Sequence, residues 1–419
     1  MRESFHPLRS HLHIAIPAMN ESRYLPATLA AIEQQETTFD YTVYVCVNQP
    51  DAWWNEPERV SICEDNRLTL RRLETEERFP IHLLDFSSQG KGWTGKRTGV
   101  GQARKTLFDY ILQRAEPQDV LISLDADTMF SQHYFQTIGE FFEEHPKAIA
   151  LSVPYFHPLG NDERANRAIL RYEIYMRSYL INLFLIESPF AFTAIGSAIA
   201  TRTSALKKIG GITPMKSGED FYLLQKLRKM SYVHQWLPDV VHPAARFSAR
   251  VFFGTGPAMI KGDQGDWSSY PIYHHTLFQE IQQNYGLIPE LYDHDVETPF
   301  LNFLKAQFQD DNLWLPLRKN APNLKQFTKS FHEKADGLRI LQYLKTQQKQ
   351  DSTSDQQSLL DNMNYFSQRL PDNLILPTTE LFTPLDVLSV TELDALRKKL
   401  YDIEMHLRHE ADHRHDNKC

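Results

Sequence analysis

Short apolar runs alternate with amphipathic, helix-length stretches through the first part of the chain, and this alternation limits the possible folds most strongly. Strands that alternate with helices form parallel sheets, because each crossover returns the chain to the same edge. We therefore predict an α/β domain. The predicted strands are residues 13–17, 42–47, 81–86, 120–124 and 148–153. The predicted helices are residues 24–35, 101–114 and 132–144, the last with Ser131 as its N-cap.

The remainder of the chain has a different character. After about Gly256 the strand patterns fade and helix-length periodicities dominate, so we predict an α/β domain over 1–256 and a mainly helical C-terminal region. That region comprises a helical accessory or acceptor-side part at 257–344, a polar linker or loop at 345–358 and a helical segment at 359–419.

The final segment carries one apolar stripe, because five residues recur at spacings of three and four. They are Leu393, Leu396, Leu400, Ile403 and Leu407. We expect the stripe to pack against the chain's own body, and a homodimer through this helix is the alternative. Farther along, the segment from His409 to His413 matches the H-E-x-x-H pattern of zinc proteases. Its surroundings are charged and the chain has 17 histidines, so we interpret this match as coincidental.

Composition excludes several classes of partner. The 53 acidic residues exceed the 45 lysines and arginines, so broad binding to nucleic acid or anionic membranes is not expected. The most membrane-like stretch, 179–200, is interrupted by Asn182, Glu187 and Pro189, so no integral membrane span is expected. Three scattered cysteines suit a reducing compartment. We therefore expect a cytoplasmic protein.

Two carboxylates follow the predicted strand 120–124. Asp125 and Asp127 are separated by one alanine, and ligands of α/β sheets bind beyond the carboxyl ends of the strands. Carboxylate oxygens there suit Mg²⁺ or Mn²⁺, which also bridge phosphates. The alternative is a turn in which these residues cap a helix.

Other polar side chains stand at similar positions. Asn20 and Glu21 follow the first predicted strand and could reach a base or ribose, although a capped turn is equally consistent. Asp220 begins a predicted helix after a glycine and is a candidate general base, although acids are also common in first turns because of the helix dipole. His242 is a candidate third metal ligand, and Arg246 or Arg250 a candidate phosphate clamp; a lone histidine is more often structural.

The segment 87–105 is rich in glycine and in lysine or arginine, which suits contact with a diphosphate. Its Gly90-x-Gly92-x-x-Gly95 pattern matches the dinucleotide fingerprint, but the acidic residue that ribose binding requires is missing downstream. The run from Gly90 to Lys96 nearly matches a P-loop, but Arg97 stands where Ser or Thr must hold Mg²⁺.

The order of these elements resembles the inverting family 2 glycosyltransferases over roughly residues 10–256. The resemblance rests on IPAMNES and VNQP after strands, GQARK in the glycine-rich loop, LDAD, and GSAIATR followed by SGEDFYLLQKL. It implies a GT-A fold, a Rossmann-like domain that binds nucleotide-diphospho-sugars. It also implies a UDP- or GDP-sugar donor, a hydroxyl acceptor of unknown identity, and Mn²⁺ or Mg²⁺ bound through a DXD motif.

The resemblance implies roles for individual residues. Those that would line the nucleoside pocket or lie beside the base are Pro17, Ala18, Asn20, Glu21 and Asn48. Those that would contact the diphosphate or ribose are Lys91, Arg104 and Asp125. Asp127 would bind the metal, and Asp220, with Glu219 beside it, would deprotonate the acceptor. Where family synthases often carry Q-x-x-R-W and membrane helices, this chain has His242-Pro-Ala-Ala-Arg246-Phe247, which favours single addition of a sugar.

Two other functions compete with glycosyl transfer. One is a P-loop-like ATP-dependent enzyme that uses the segment from Gly90 to Lys96. The other is a catalytically inactive protein that binds a nucleotide sugar, against which the presence of Asp125, Asp127 and Asp220 argues.

Overall fold

The computed structural model describes residues 9–95, 98–249, 254–350, 353–371, 374 and 383–417. The chain forms two compact units. The first comprises Met1–Asn166, Thr193–Ile260 and Asp412–Cys419, and the second comprises Arg167–Phe192 and Lys261–Ala411. These units differ from the predicted domains, because residues 167–192 belong with the helical C-terminal part.

The first unit is built on a six-stranded sheet with the order β3-β2-β1-β4-β7-β6, and it has a separate two-stranded ribbon of β5 and β8. Strands β1 to β4 are parallel, as predicted, whereas β7 runs antiparallel to both β4 and β6. The strands are β1 Leu12–Ala18, β2 Tyr41–Asn48, β3 Ile81–Phe86, β4 Val120–Ser123, β5 Thr128–Met129, β6 Ala150–Ser152, β7 Ile199–Arg202 and β8 His242–Pro243. The predicted α/β class is confirmed.

Helices cover the central strands of this sheet. All seven residues of β1 are buried because β2 and β4 flank it. Helix α3 packs against β1 and β2 through Ala103, Leu107, Phe108 and Ile111. The first helices of the chain are α1 Leu25–Glu33, α2 Val60–Glu74, α3 Val100–Leu112, α4 Tyr134–Glu144, α5 Glu163–Leu185, α6 Thr203–Lys208, α7 Glu219–Met230 and α8 Thr255–Asp263.

Ser131 does not have its predicted role as the N-cap of α4. His133 occupies the N-cap position without a side-chain cap, and the helix begins at Tyr134. The Ser131 hydroxyl donates instead to the carboxylate of Asp239, and its oxygen accepts the N–H of His133 at 3.2 Å.

The second unit is helical. The remaining helices of the chain are α9 His275–Gly286, α10 Ile288–Asp293, α11 Pro299–Phe308, α12 Trp314–Asn320, α13 Leu324–Lys334, α14 Gly337–Gln348, α15 Asp355–Ser367 and α16 Val390–Asp416. The last residues of α16, from Asp412 onward, belong to the first unit. Within the second unit α5 and α16 are joined by buried ions, because Arg177 bonds to both Glu173 and Glu404 at 2.6 Å. These ion pairs explain why much of α5 groups with the C-terminal helices.

The structure differs from one expectation about the C-terminal region and agrees with another. The predicted linker at 345–358 is mostly the ends of two helices: α14 extends to Gln348, and Ser354 caps α15 by accepting the N–H of Gln357. The leucine stripe of α16 is at most 7% exposed at each of its five positions. It is therefore buried within the chain, as expected, and is not an exposed surface for a homodimer.

Within the described ranges, no helix combines the length and the apolar character that crossing a bilayer requires.

Candidate functional site

The carboxyl ends of β1, β2 and β4 meet at one edge of the sheet, and polar side chains cluster there. Asn48, the last residue of β2, donates through Nδ2 to the carbonyl oxygen of Ala18 at 3.0 Å. Asn20 adopts a positive φ of 59°, and its N–H donates to Oδ1 of Asn66 at 2.8 Å. These bonds hold the end of β1 against β2 and the turn after Ala18 against α2, so the predicted nucleoside-side residues lie together.

Arg104 on α3 is the centre of a buried ionic cluster. Its guanidinium is 4% exposed and donates to the carboxylates of Asp125 and Glu219. Its Nε lies 3.3 Å from Oγ of Ser123, which in turn donates to the carbonyl of Gly196 at 2.7 Å. Arg104 thus joins the segment after β4 to the first turn of α7.

Arg104 does not lie where the resemblance predicted. We expected the side chain beside the diphosphate or ribose, but it is enclosed, and its described contacts are with protein carboxylates and a serine. Gly196 is required by this packing, since a Cβ there would come within 2.2 Å of Nη2 of Arg104. Arg104 therefore positions the carboxylates.

A second arginine holds the other carboxylate of the pair. Nε of Arg246 donates to Oδ2 of Asp127 at 2.8 Å, and Nη2 donates to Oε1 of Glu21 at 2.6 Å. The guanidinium lies over the ring of Tyr24, 4.1 Å from its centroid. Arg246 was predicted to clamp a phosphate, and the structure shows it bridging the segments after β1 and β4. Arg250 lies outside the described residues.

Asp220 stands in the first turn of α7. Gly218 adopts a positive φ of 75° at the N-cap, which lets the chain turn sharply into the helix. Burial, together with the nearby charge of Glu219, raises the pKa of Asp220 to about 7. One oxygen, Oδ1, accepts the N–H of Phe221 at 2.7 Å. A half-buried carboxylate with a pKa near neutrality is suited to accept a proton from a hydroxyl group.

His242 lies in the ribbon formed by β5 and β8, where it pairs with Met129, two residues after Asp127. Its Nδ1 lies 2.8 Å from the carbonyl oxygen of Phe156. A carbonyl only accepts, so Nδ1 carries the proton and Nε2 presents a lone pair. This is the tautomer that a metal-binding histidine adopts.

The donor set of the site fits a hard divalent cation. It contains five carboxylates, and the two guanidinium groups pair with four of them, which leaves negative charge in the described part of the site. The carboxylates are Glu21, Asp125, Asp127, Glu219 and Asp220. The three predicted ligands are not preassembled, because the ligand atoms of Asp125, Asp127 and His242 do not all lie within 4.8 Å of one another.

The glycine-rich loop is organised by aspartates. Asp51 accepts the N–H groups of Gly90 and Gly92 at 2.7 and 3.3 Å, and Nζ of Lys91 lies 2.9 Å from Asp85. Although burial opposes its ionisation, hydrogen bonds from neighbouring residues and Lys91 lower the pKa of Asp85 to about 2. A P-loop needs its backbone N–H groups for phosphate, whereas two of them here bind a carboxylate. Lys96 and Arg97 lie outside the described residues.

Sequence reasoning missed several residues of the site. Ser123, Asn66 and Gly196 support the predicted residues through the bonds described above, and Tyr24 stacks on Arg246. Trp93 donates from Nε1 to Oδ1 of Asn48 at 3.4 Å. The tryptophan in the glycine-rich loop was a usable signal, because a large aromatic there needs a partner. Gly196 begins the quoted segment GSAIATR, but its contact with Arg104 could not be read from that pattern, and Ser123, Asn66 and Tyr24 carried no distinctive local pattern.

Comparison with known proteins gives one family. The model of the family described as "Glycosyltransferase like family 2" matches residues 9–253. No curated protein matches the chain.

Solved structures similar to this chain include S. aureus TarS 1–349 in complex with UDP-GlcNAc. It has 14% identity and a TM-score of 0.37, with 96% of this chain and 90% of that chain covered. Another is the mannosyltransferase PcManGT from Pyrobaculum calidifontis in complex with GDP-Man and Mn²⁺. It has 13% identity and a TM-score of 0.35, with 94% of this chain and 86% of that chain covered.

Proposed function

The chain belongs to the family 2 glycosyltransferases, and from this premise we propose a metal-dependent transfer of sugar from a nucleotide-diphosphate sugar to a hydroxyl group. We propose further that the anomeric configuration is inverted and that Asp220 is the general base. One observation carries the proposal: Arg104 binds Asp125 and Glu219 together. It thereby connects the carboxylate expected at the donor to the turn that bears the proposed base.

The donor's nucleoside would lie at the carboxyl ends of β1 and β2, against the turn that contains Ala18 and Asn20 and beside Asn48. Asp127 and Asp125 would hold a divalent cation, with His242 as the third ligand through Nε2. When bound, Mn²⁺ or Mg²⁺ would offset the charge that develops on the departing nucleoside diphosphate. Both described contacts from Arg246 to Asp127 reach Oδ2, so Oδ1 is the oxygen we expect to face the cation.

The chemical step is a direct displacement. Asp220 takes the proton of the acceptor hydroxyl, whose oxygen attacks the anomeric carbon while the bond from that carbon to the diphosphate oxygen breaks. Glu219 is bound by Arg104, so it is held in a supporting position and is not placed as a nucleophile. A single base without a covalent intermediate leads to inversion.

Thermal unfolding in the presence of UDP, GDP or ATP, each with and without Mn²⁺, tests the proposal. A ligand that binds only the folded state stabilises it by about 2.7 kcal/mol at 100 times its Kd. We expect UDP or GDP to raise the Tm only when Mn²⁺ is present, and we expect this rise to disappear in Asp127→Ala. Asp109→Ala, which removes a surface carboxylate on α3, is the matched control and should behave as wild type. Stabilisation by ATP alone would contradict the proposal.

The pH dependence of turnover follows from the raised pKa of Asp220. The base must be ionised, so kcat/KM should rise about tenfold per pH unit below pH ~7 and level off above it. Slow transfer to water, measured as release of the nucleoside diphosphate, supplies an assay that needs no acceptor. A rate that is flat from pH ~5.5 to ~8.5, with donor affinity also constant, would exclude Asp220 as the base.

A further inference from the structure

A second group of side chains that can bind a metal ion lies outside the carboxylate site, within the first unit. The last turn of α16 carries His415 and Asp416, and the segment after α7 carries His234. Potential ligand atoms of these three residues all lie within 4.8 Å of one another. Across the described ranges, no other group of three histidines, cysteines or acidic residues meets that criterion.

His234 is fixed at the edge of the six-stranded sheet. Its N–H donates to the carbonyl of Ala150 at 3.0 Å, and its carbonyl accepts the N–H of Ser152 at 2.8 Å. The side chain is only 5% exposed, and Nε2 lies 3.2 Å from Oδ1 of Asp416. The other ring nitrogen, Nδ1, is buried and has no hydrogen-bond partner among the described residues. Nε2, which faces the carboxylate, is the nitrogen available to an ion at this position.

His145, at the end of α4, approaches the same carboxylate from another side. Its Nδ1 lies 2.9 Å from the carbonyl oxygen of Phe141, so that nitrogen carries the proton. Its Nε2 lies 3.5 Å from Oδ2 of Asp416, which is an ion pair when the ring is protonated. His145 is not a member of the group of three, so its described role is to orient Asp416.

The spacing between His234 and Asp416 is compatible with a tetrahedral ion. With metal–ligand bonds of about 2.0–2.1 Å, neighbouring ligand atoms of tetrahedral zinc are about 3.3 Å apart. The separation of 3.2 Å between Nε2 of His234 and Oδ1 of Asp416 is close to that value. Imidazole nitrogens with one carboxylate suit zinc or a similar transition ion, whereas Mg²⁺ and Ca²⁺ prefer all-oxygen sets.

We propose that His234, His415 and Asp416 form a site for Zn²⁺ or a chemically similar ion, with the fourth coordination position left to water. The ion would fasten the end of α16 to the edge of the sheet. Neighbouring contacts already hold this end: Asp412 accepts the backbone N–H groups of Gln235 and Trp236 at 2.9 and 2.8 Å. The site is separate from the H-E-x-x-H match, because neither His409 nor His413 belongs to the group.

Titration of the full, metal-free chain with Zn²⁺ and with Co²⁺ tests the site. All variants are made in an Asp127→Ala background so that the proposed catalytic cation is not counted. We expect one equivalent of Zn²⁺ by calorimetry, a Zn²⁺-dependent rise in Tm, and the visible absorption of tetrahedral Co²⁺. His415→Ala and Asp416→Asn should each weaken binding by at least about tenfold, as loss of a ligand is worth no less than loss of a supporting bond. His413→Ala removes an exposed histidine of the same helix turn and should leave binding unchanged.

Three results would overturn the site: no stoichiometric Zn²⁺ binding, equal binding to His415→Ala and its parent, or loss of binding in His413→Ala. Should His415→Ala fold poorly, Asp416→Asn decides the question, because this side chain is 41% exposed and the change keeps its size. Undiminished Zn²⁺ affinity in Asp416→Asn would then mean that the histidines and Asp416 form hydrogen-bonded pairs without a metal.

Discussion

Replacing Asp220 with asparagine should lower the turnover number for sugar transfer by about 10²–10⁴-fold, the usual contribution of a general base. Asparagine has the same shape but cannot take the acceptor's proton. Donor affinity should stay close to that of wild type, because Asp220 acts on the acceptor side of the reaction. The measurements are kcat by release of the nucleoside diphosphate and Kd for the donor nucleotide with Mn²⁺.

The stability of this variant separates a catalytic from a structural role. The pKa of Asp220 is raised in the folded state, so folding is favoured when this group is protonated, and that stabilisation is lost as pH rises toward 7. Asparagine is neutral at every pH, so the Tm of Asp220→Asn at pH ~8 should be no lower than that of wild type. A lower Tm together with weaker donor binding would indicate a structural residue, and unchanged kcat would assign the base elsewhere. Asp109→Asn provides the surface control.

The framework of the fold could be predicted from the sequence, because local patterns of residues determine its strands. Each strand of the parallel core is a short apolar run followed by a turn, and burial of both faces requires that composition. The carboxylates Asp125 and Asp127 were predictable for the same reason, since they follow such a run directly. Membership of the family confirms the predicted class of enzyme, a glycosyltransferase, and the GT-A type of its α/β domain.

The ion pairs of the site could not be predicted from the sequence, because they join residues that are far apart in the chain. Arg104 and Glu219 are separated by 115 positions, and Arg246 and Asp127 by 119. No local periodicity records which arginine meets which carboxylate. The sequence therefore predicted two basic side chains that contact the donor, whereas the structure places both among protein carboxylates.

Arg246 and Arg104 therefore differ in how ligand binding would affect them. Arg246 is partly exposed and shares its guanidinium with Asp127, so a cation or a diphosphate can compete for the same groups. Arg104 is enclosed together with Glu219, which is 2% exposed. Its charge is therefore needed before any ligand binds, because Glu219 would otherwise be a buried, uncompensated carboxylate.

Replacing Arg104 with methionine should therefore destabilise the fold by about 3–5 kcal/mol, the usual cost of removing one partner from a buried ion pair. At about 2–4 °C per kcal/mol, the Tm should fall by roughly 10 °C.

The double variant Arg104→Met/Glu219→Gln should recover most of this loss of stability, because it removes the uncompensated charge. It should nevertheless be inactive, because Asp125 is no longer tied to α7. Lys105→Met, which breaks a surface pair with Asp109, should cost at most about 1 kcal/mol. Thermal unfolding and turnover of these three variants and of wild type test this account. A double variant that is no more stable than Arg104→Met would show that packing against Gly196, rather than charge, makes Arg104 necessary.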